Sequence, residues 1–184
     1  AGDDTILKRM RRKYTTAEYA EKIANIRRRW PEVAITTDII VGFPGETEEL
    51  FENGYRFMKE IGFSEMHVFP YSKRTGTPAA RMDDQVDEEV KQERVHRLID
   101  LSEEMKLAYA SRFVGQVLEM IPERYVQGPD GQHLVSGYTD NYLQVVVPGD
   151  ESLIGQLIKV RITEEGVNEC KGVQVHAKPL AASF

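Results

Sequence analysis

The sequence predicts an α/β unit with parallel strands, followed by a small all-β antiparallel barrel. Two observations support this prediction. In residues 1–111, helical patterns alternate with two β-branched runs, which is the element order of a βαβ unit. In residues 112–184, short alternating runs rich in valine and glycine recur at turn spacing, which is typical of a small barrel. We therefore predict two domains, with a boundary at about residue 112.

The composition narrows the class of protein. The 184 residues are 41% hydrophobic and 29% charged, without a run of eighteen apolar residues or a secretory signal pattern, so we expect a soluble, cytoplasmic protein without membrane contact. Cys170 is the only cysteine, which excludes an internal disulfide and any metal site built from several thiolates of this chain. The net charge of −6 argues against indiscriminate nucleic-acid binding.

A helix and a strand are predicted first. Thr15 and Glu18 have capping-box spacing, and apolar residues then recur on one face until Trp30, where Pro31 stops the helix. The following run, residues 33–43, is β-branched on both faces. We therefore predict a parallel strand that is covered on both sides.

A second helix and strand complete the unit. Thr47 is the predicted N-cap and Gly62 the predicted C-cap of an amphipathic helix, and residues 64–72 form the next predicted strand. The loop at 73–85 is too long for a simple connection, so it is either an active-site loop or disordered, and a long helix begins near Val86. Because two parallel strands alone are at best marginally stable, we expect further strands of a larger sheet or barrel before this chain.

Two groups of charged residues have competing interpretations. Arg9, Arg11 and Lys13 belong to a basic stretch that we interpret as a solvated surface, with contact to RNA phosphates as the alternative. Glu46 and Glu48 could form a catalytic pair, but acids early in a helix are explained by the helix dipole. We assign no catalytic residue and no metal ligand within this chain.

Three long motifs resemble one enzyme family. The segments DDTILKRMRRKYT, TTDIIVGFPGET and HVFPYSKRTGTPAARM, in this order and spacing, resemble the second half of the barrel of the radical S-adenosylmethionine tRNA methylthiotransferases. The long helix and the β domain resemble the linker and the TRAM domain that follow that barrel. Among relatives, KRTGTPAARMDDQV, ERVHRLI and GYTDNYLQV are most similar to the branch that thiomethylates N6-threonylcarbamoyl-adenosine beside the anticodon.

The resemblance implies a partial α/β barrel that uses S-adenosylmethionine and 4Fe-4S clusters and acts on the anticodon arm of tRNA. The family's CxxxCxxC motif is absent from this sequence. The cluster ligands would therefore lie in a missing N-terminal part of the same protein, and we expect this chain alone to be inactive. The alternative is a non-catalytic RNA-binding module that retains half a barrel.

The resemblance also implies which residues contact the cofactor. Ile40 packs on the adenine, Asp38 lies near the ribose or the methionyl end, and Arg12 pairs with the methionyl carboxylate. Backbone atoms around Phe69 to Tyr71 bond the adenine edge. Without the resemblance, Asp38 is a cap of the following turn and Ile40 a core residue. The implied cofactor-binding set is Arg12, Asp38, Ile40, Gly42, Phe69 and Tyr71.

Basic and aromatic residues are candidates for contact with RNA. From residue 112 to the end, six lysines and arginines stand against nine aspartates and glutamates, so any such contact must be local. The alternatives are solvated cations and tyrosines that pack at the rim of the barrel. The candidates are Lys73, Arg74, Arg81, Arg112, Tyr138, Tyr142, Lys159 and Arg161.

Overall fold

The computed structural model describes residues 1–175 and divides the chain into two compact units, Ala1–Lys106 and Leu107–Phe184. Within residues 1–175, no helix is both long and apolar enough to cross a membrane. The helices are α1 (Asp4–Arg9), α2 (Thr16–Arg29), α3 (Glu48–Ile61) and α4 (Glu88–Ser111), and the strands are β1 (Thr36–Val41), β2 (Glu65–Pro70), β3 (Val117–Gln127), β4 (His133–Thr139), β5 (Gln144–Pro148), β6 (Ile158–Glu164) and β7 (Cys170–Gln174).

The predicted helix ends of the first unit are confirmed. At the start of α2, the Thr15 hydroxyl accepts a hydrogen bond from the Glu18 N–H, and the Glu18 carboxylate accepts one from the Thr15 N–H, which is a complete capping box. Thr47 caps α3 by accepting from the Leu50 N–H at 3.3 Å. Gly62 ends α3 in the left-handed conformation, with φ 63°.

Strands β1 and β2 form a two-stranded parallel sheet whose register runs from Thr36 opposite Glu65 to Val41 opposite Pro70. Only one of its faces is covered by other described residues: the side chains of Ile39 and Val41 are buried, whereas Asp38 is exposed. The prediction of a strand covered on both sides is therefore wrong for this chain. The core of the unit comprises Ile23, Ile39, Val41, Phe51, Met58, Ile61, Phe63, Met66, Val95, Leu98, Leu101 and Met105.

Helix α4 satisfies backbone groups of β2 that β1 does not. The buried Ser102 hydroxyl accepts a hydrogen bond from the Met66 N–H at 2.9 Å and donates one to the Met66 carbonyl at 3.2 Å. Unpaired backbone groups in a buried position are costly. The Ser102 hydroxyl thus makes the two hydrogen bonds that a neighbouring strand would otherwise make to Met66.

The connection from β1 to α3, residues 42–46, turns at two glycines; we call it the corner. Gly42 and Gly45 have φ angles of 68° and 83°, a region that side chains with a Cβ rarely adopt. A Cβ on Gly42 would lie 2.1 Å from the Cγ atom of Lys91, and a Cβ on Gly45 would lie 2.6 Å from atoms of Arg9 and Asp84. Both glycines are therefore required by conformation and by space.

The second unit contains a closed barrel with the strand order β3-β4-β5-β7-β6. Four of its neighbouring pairs are antiparallel, but β5 and β7 are parallel, with Val145 opposite Cys170. The prediction of an antiparallel barrel is wrong at this pair. Strand direction cannot alternate all the way round a closed ring of five strands, so at least one pair has to be parallel.

Replacing Ser102 by alanine tests whether its hydroxyl stabilises the edge of β2. We expect Ser102→Ala to lower the free energy of unfolding by about 1–3 kcal/mol, because it leaves buried N–H and C=O groups without partners. Urea denaturation measures the change. Ser111→Ala is the control, since Ser111 is exposed on the same helix and its hydroxyl donates only to Ala108 of its own turn. Equal stability of the two variants would contradict this account.

A pair of glycine substitutions separates the two constraints on the corner. Gly62→Ala places a Cβ in open space at φ 63°, so it should cost about 1–2 kcal/mol, the price of the left-handed conformation alone. Gly42→Ala has the same conformational cost and also displaces the buried stem of Lys91, which should add about 1–3 kcal/mol. Thermal and urea unfolding of both variants would show the difference, and equal losses would mean that Lys91 moves aside freely.

Candidate functional site

Three of the six predicted cofactor residues share one face of the sheet. Partners in a parallel register point to the same side, and Asp38 is opposite His67 while Ile40 is opposite Phe69. On this face, Asp38 and His67 are exposed, Ile40 is half-buried, and Phe69 is 51% exposed. Asp38, Ile40 and Phe69 therefore form an open surface, hereafter the open face, next to the carboxyl ends of both strands.

The other three predicted cofactor residues are placed differently. Gly42 lies in the corner, and Arg12 is exposed in the turn after α1. Tyr71 follows β2, where its N–H donates to the Val41 carbonyl at 2.8 Å. Its ring packs edge-on against Phe43 with 5.3 Å between centroids, and its hydroxyl is buried without a hydrogen-bond partner within the part of the chain that the structure describes.

A buried ion pair lies beneath the corner. The Glu46 and Arg94 side chains are only 6% and 5% exposed. Glu46 Oε1 accepts from the Gly42 N–H at 2.9 Å and from Arg94 Nη1 at 3.1 Å, and the same Nη1 donates to the Glu46 carbonyl at 2.9 Å. Burial raises the pKa of the Glu46 carboxyl, and the hydrogen bonds from Gly42 and Arg94 oppose that rise.

The ion pair extends to the surface through a second carboxylate. Arg94 Nη2 donates to Glu48 at 3.1 Å, and Arg97 donates to Glu48 at 2.9 Å and also pairs with Glu52. Glu48 is slightly desolvated, but the hydrogen bonds from the two arginines lower its pKa. This outer part is 34–61% exposed, so it contributes less to stability than the buried pair does.

The sequence interpretation missed the roles of Glu46 and Arg94. Glu46 precedes the N-cap Thr47, and its carboxylate bonds to the Gly42 N–H and to Arg94 rather than to the first N–H groups of α3. Arg94 and Lys91 occupy the same 3–4 spacing as the buried Leu98, Leu101 and Met105. Two cations on an otherwise apolar stripe are the signal that could have predicted a buried ionic site.

The interpretation of Arg9 as part of a solvated surface is also wrong. Its Nε donates to the Pro44 carbonyl at 2.9 Å, and its Nη2 pairs with Asp84 at 2.6 Å. The Asp84 carbonyl accepts from the Gly45 N–H at 2.7 Å. Arg9 and Asp84 therefore hold the corner from the side of α1 and of the long loop, whereas Arg11 and Lys13 are exposed as expected.

The long loop after β2 has a defined turn. Residues Ala79–Arg81 form a 3₁₀ helix, and the Gln85 side-chain amide donates to the carbonyls of Ala79 and Met82. The three cations predicted to contact RNA, Lys73, Arg74 and Arg81, are all exposed on it.

In the second unit, two tyrosines form an exposed pair. The rings of Tyr138 and Tyr142 are 5.7 Å apart, and Tyr142 is 73% exposed. Tyr142 also has φ 67°, an unusual conformation for an aromatic residue, at the tip of the β4–β5 hairpin. Its N–H donates to the Thr139 carbonyl at 3.0 Å, which closes this turn.

Two of the predicted basic residues lie on the same outer surface of the barrel as the tyrosines. Lys159 and Arg161 point outward from β6, and Lys159 is opposite Glu119 of β3. Two residues further along β3, Ile121 is opposite Tyr138 of β4. Each cation already has a partner: Lys159 lies 3.8 Å from Glu119, and Arg161 donates to the Gly115 carbonyl at 2.8 Å. We call this surface the tyrosine–lysine face.

The remaining candidate, Arg112, follows α4. Its guanidinium carbon lies 5.5 Å from the ring centroids of both Tyr109 and Phe113, so it is held by cation–π contacts at the start of the barrel unit.

The described residues fit S-adenosylmethionine but not an iron–sulfur cluster. The open face offers apolar contacts from Ile40 and Phe69 beside the Asp38 carboxylate, which suits a ligand with a flat ring and polar substituents. An iron–sulfur cluster needs several thiolates, whereas Cys170 is buried in β7 and no cluster of three or more potential metal ligands occurs within residues 1–175.

Comparisons with known proteins agree with the motifs. Residues 1–58 match the model of the Radical SAM superfamily. The chain is 54% identical over 177 residues to "Threonylcarbamoyladenosine tRNA methylthiotransferase MtaB" of Bacillus subtilis (strain 168), which covers 95% of this chain and 39% of that protein. It is 44% identical over 186 residues to "tRNA-2-methylthio-N(6)-dimethylallyladenosine synthase" of Geobacillus kaustophilus (strain HTA426), covering 97% of this chain and 35% of that protein.

The chain thus spans between a third and two fifths of the length of these relatives. The similarity covers 95% and 97% of its residues, so the resemblance is confirmed. Over nearly all of its residues, this chain is therefore similar in sequence to part of the tRNA methylthiotransferases, and its first 58 residues match the Radical SAM superfamily.

Proposed function

We propose that this chain is part of an enzyme that adds a methylthio group to N6-threonylcarbamoyl-adenosine beside the anticodon of tRNA, with S-adenosylmethionine as a cofactor. The choice of adenosine derivative is supported by the relatives, because identity is 54% to the threonylcarbamoyladenosine enzyme and 44% to the dimethylallyladenosine enzyme. The single observation that carries the proposal is the open face, which leaves Asp38, Ile40 and Phe69 uncovered beside a glycine corner.

The proposed roles follow from the chemistry of each residue. Ile40 provides apolar contact for the adenine, and backbone atoms around Phe69 to Tyr71 bond its edge. The Asp38 carboxylate accepts hydrogen bonds from the ribose or the methionyl ammonium. Arg12, exposed after α1, presents a guanidinium to the methionyl carboxylate. When bound beside a reduced 4Fe-4S cluster, the cofactor supplies radical chemistry and a methyl group.

We further propose that the β1–β2 sheet is the second half of a barrel, as part of a domain over residues 1–111, and that residues 112–184 form a TRAM-like RNA-binding domain. The half-barrel proposal is supported by the uncovered side of the sheet, since a two-stranded parallel sheet normally needs cover on both faces. The remaining strands and the cluster ligands would come from the missing N-terminal part.

The contact with tRNA is proposed to involve both units. The exposed Tyr138 and Tyr142 rings suit stacking with unpaired bases of the anticodon arm. Three groups of cations would contact phosphates: Lys159 and Arg161 on the tyrosine–lysine face, Lys73, Arg74 and Arg81 on the long loop, and Arg112 after α4. A non-catalytic RNA-binding module would need only these residues, so the activity of the complete protein separates the two functions.

The activity of the complete polypeptide is the direct test. After anaerobic reconstitution of its clusters, we expect it to convert N6-threonylcarbamoyl-adenosine in tRNA to the methylthio derivative and to form 5′-deoxyadenosine, both detected by mass spectrometry. The 184-residue chain alone should form neither, because it cannot supply the thiolates for a cluster. tRNA that carries dimethylallyl-adenosine is the substrate control. Binding of tRNA without any turnover by the complete polypeptide would favour the RNA-binding module.

The dependence of tRNA binding on salt separates phosphate contacts from stacking. In the complete polypeptide, Lys159→Ala/Arg161→Ala should reduce the slope of log affinity against log salt by about one to two units. Tyr142→Ala should weaken binding by about 1–3 kcal/mol with the slope unchanged, because it removes a stacking surface and no charge.

Filter binding across a salt series measures both quantities. Lys171→Ala is a matched control, because this exposed lysine of the same barrel is paired with Glu164 at 2.9 Å and was not predicted to contact RNA. If all three variants bind tRNA like the parent protein, the barrel unit has a structural role and the RNA is held elsewhere.

A further inference from the structure

The corner lies directly after the residues proposed to contact the cofactor, and its shape depends on side chains from elsewhere in the unit. Ile40 is two residues before Gly42, so any displacement of the corner moves the end of the open face. Four backbone groups of the corner bond to side chains or to the long loop: the N–H groups of Gly42 and Gly45 and the carbonyls of Pro44 and Glu46. A further hydrogen bond, from the Glu46 N–H to the Phe43 carbonyl at 2.9 Å, lies within the corner. The corner is therefore held by residues of α1, of α4 and of the long loop.

The most buried of these partners is the Glu46–Arg94 pair. One oxygen of Glu46 reaches back to the Gly42 N–H, which closes the corner on itself. One nitrogen of Arg94 then binds both this oxygen and the Glu46 carbonyl, which ties the closed corner to α4. Because the two side chains are separated by 48 positions in the sequence, the pair fixes the corner relative to a distant element.

A buried ion pair adds little to the free energy of unfolding on balance. Desolvation of both charges offsets most of their attraction, and apolar replacements of similar volume are often as stable or more so. Directional contacts are what such a pair adds, since the planar guanidinium fixes both distance and orientation. The pair contacts both ends of the corner, because Glu46 accepts from the Gly42 N–H and Arg94 donates to the Glu46 carbonyl, which is consistent with a geometric role.

Lys91 acts on the same elements from one turn earlier in α4. Its stem fills the space beside Gly42, and its Nζ donates to the Tyr71 carbonyl at 3.3 Å, just after β2. Helix α4 thus contacts the carboxyl ends of both strands, with Arg94 at β1 and Lys91 at β2.

We propose that Glu46 and Arg94 are positioning residues for the cofactor: they lock the corner to α4 so that Ile40 and the open face are presented in one orientation. This inference rests on the proposed function. Neither residue contacts the cofactor in this scheme, and both act through the backbone of the corner.

The decisive variant removes both charges without leaving one unpaired. Arg94→Met/Glu46→Gln should fold, because no isolated charge stays buried, and its glutamine oxygen can still accept from the Gly42 N–H. The link from the corner to α4 is lost. Glu46→Gln alone keeps that oxygen available to Arg94 as well, so it is the conservative variant. Val95→Ala is the control, since it removes buried methyl groups of α4 next to Arg94 without a hydrogen bond to the corner.

Two measurements are made on the complete polypeptide. The first is hydrogen exchange of residues 42–46 without cofactor, where the double variant should exchange roughly tenfold faster than the parent and Val95→Ala should not. The second is the affinity for S-adenosylmethionine by calorimetry after cluster reconstitution, where the double variant should bind roughly ten- to hundredfold more weakly. Glu46→Gln should stay close to the parent in both measurements.

The outcomes separate the two proposals. If the parent protein does not bind S-adenosylmethionine, the proposed function fails, and the exchange measurement still decides whether the pair holds the corner. If the parent binds the cofactor and the double variant binds it equally well, the positioning role is overturned. It is also overturned if Val95→Ala weakens cofactor binding as much as the double variant at equal thermal stability, because the effect would then be general destabilisation.

Discussion

The first unit depends on how helix α4 completes a sheet of only two strands. Such a sheet has too few hydrogen bonds and too little buried area to be stable alone. Along its length, α4 supplies what further strands would otherwise provide: apolar residues that cover one face, the Ser102 hydroxyl for the backbone of Met66, and Lys91 and Arg94 for the strand ends. Helix α4 therefore contacts the strands, the corner and the segment after β2, and so helps to position the candidate site.

This arrangement explains why the buried stripe of α4 is apolar over one part of its length and cationic over another. Leu98, Leu101 and Met105 cover the middle and the start of the strands, where contacts are with side chains. At the carboxyl ends, the backbone of the corner presents N–H and C=O groups that apolar residues cannot satisfy, and there the same stripe continues as Arg94 and Lys91. The stripe thus changes from leucine to arginine at the point where α4 stops packing on side chains and begins to bond to the backbone next to the candidate site.

Local features were predicted well because they are encoded over a few residues. The capping box at Thr15, the cap at Thr47 and the left-handed Gly62 each depend on neighbours within about four positions, and each is present. The resemblance based on the motifs was also confirmed. The contacts of Arg9 with Pro44 and Asp84, like the pair of Glu46 and Arg94, join residues 35 to 75 positions apart, and no local pattern specifies such partners.

The error in the barrel has a different cause. Each run was identified as a strand from its alternation, but strand direction depends on the number of strands and on closure, which are properties of the whole sheet. With five strands in a closed ring, β7 returns between β6 and β5 and is parallel to β5.

The two units also use different physical means to present their candidate sites. In the first, the open face is positioned by buried ionic contacts at one end of the sheet, so the orientation of its residues is set by directional hydrogen bonds. In the second, the Tyr142 ring is held outward by the backbone of a tight hairpin, with the buried Thr139 hydroxyl donating to Asn141 and accepting from the Leu143 N–H. A small cofactor requires fixed distances, whereas a base that stacks on a tyrosine tolerates variation in position, because every base has an aromatic face. Directional ionic contacts therefore lie where the proposed chemistry requires fixed distances. The hydrogen bonds of a hairpin are sufficient where the proposed contact is stacking.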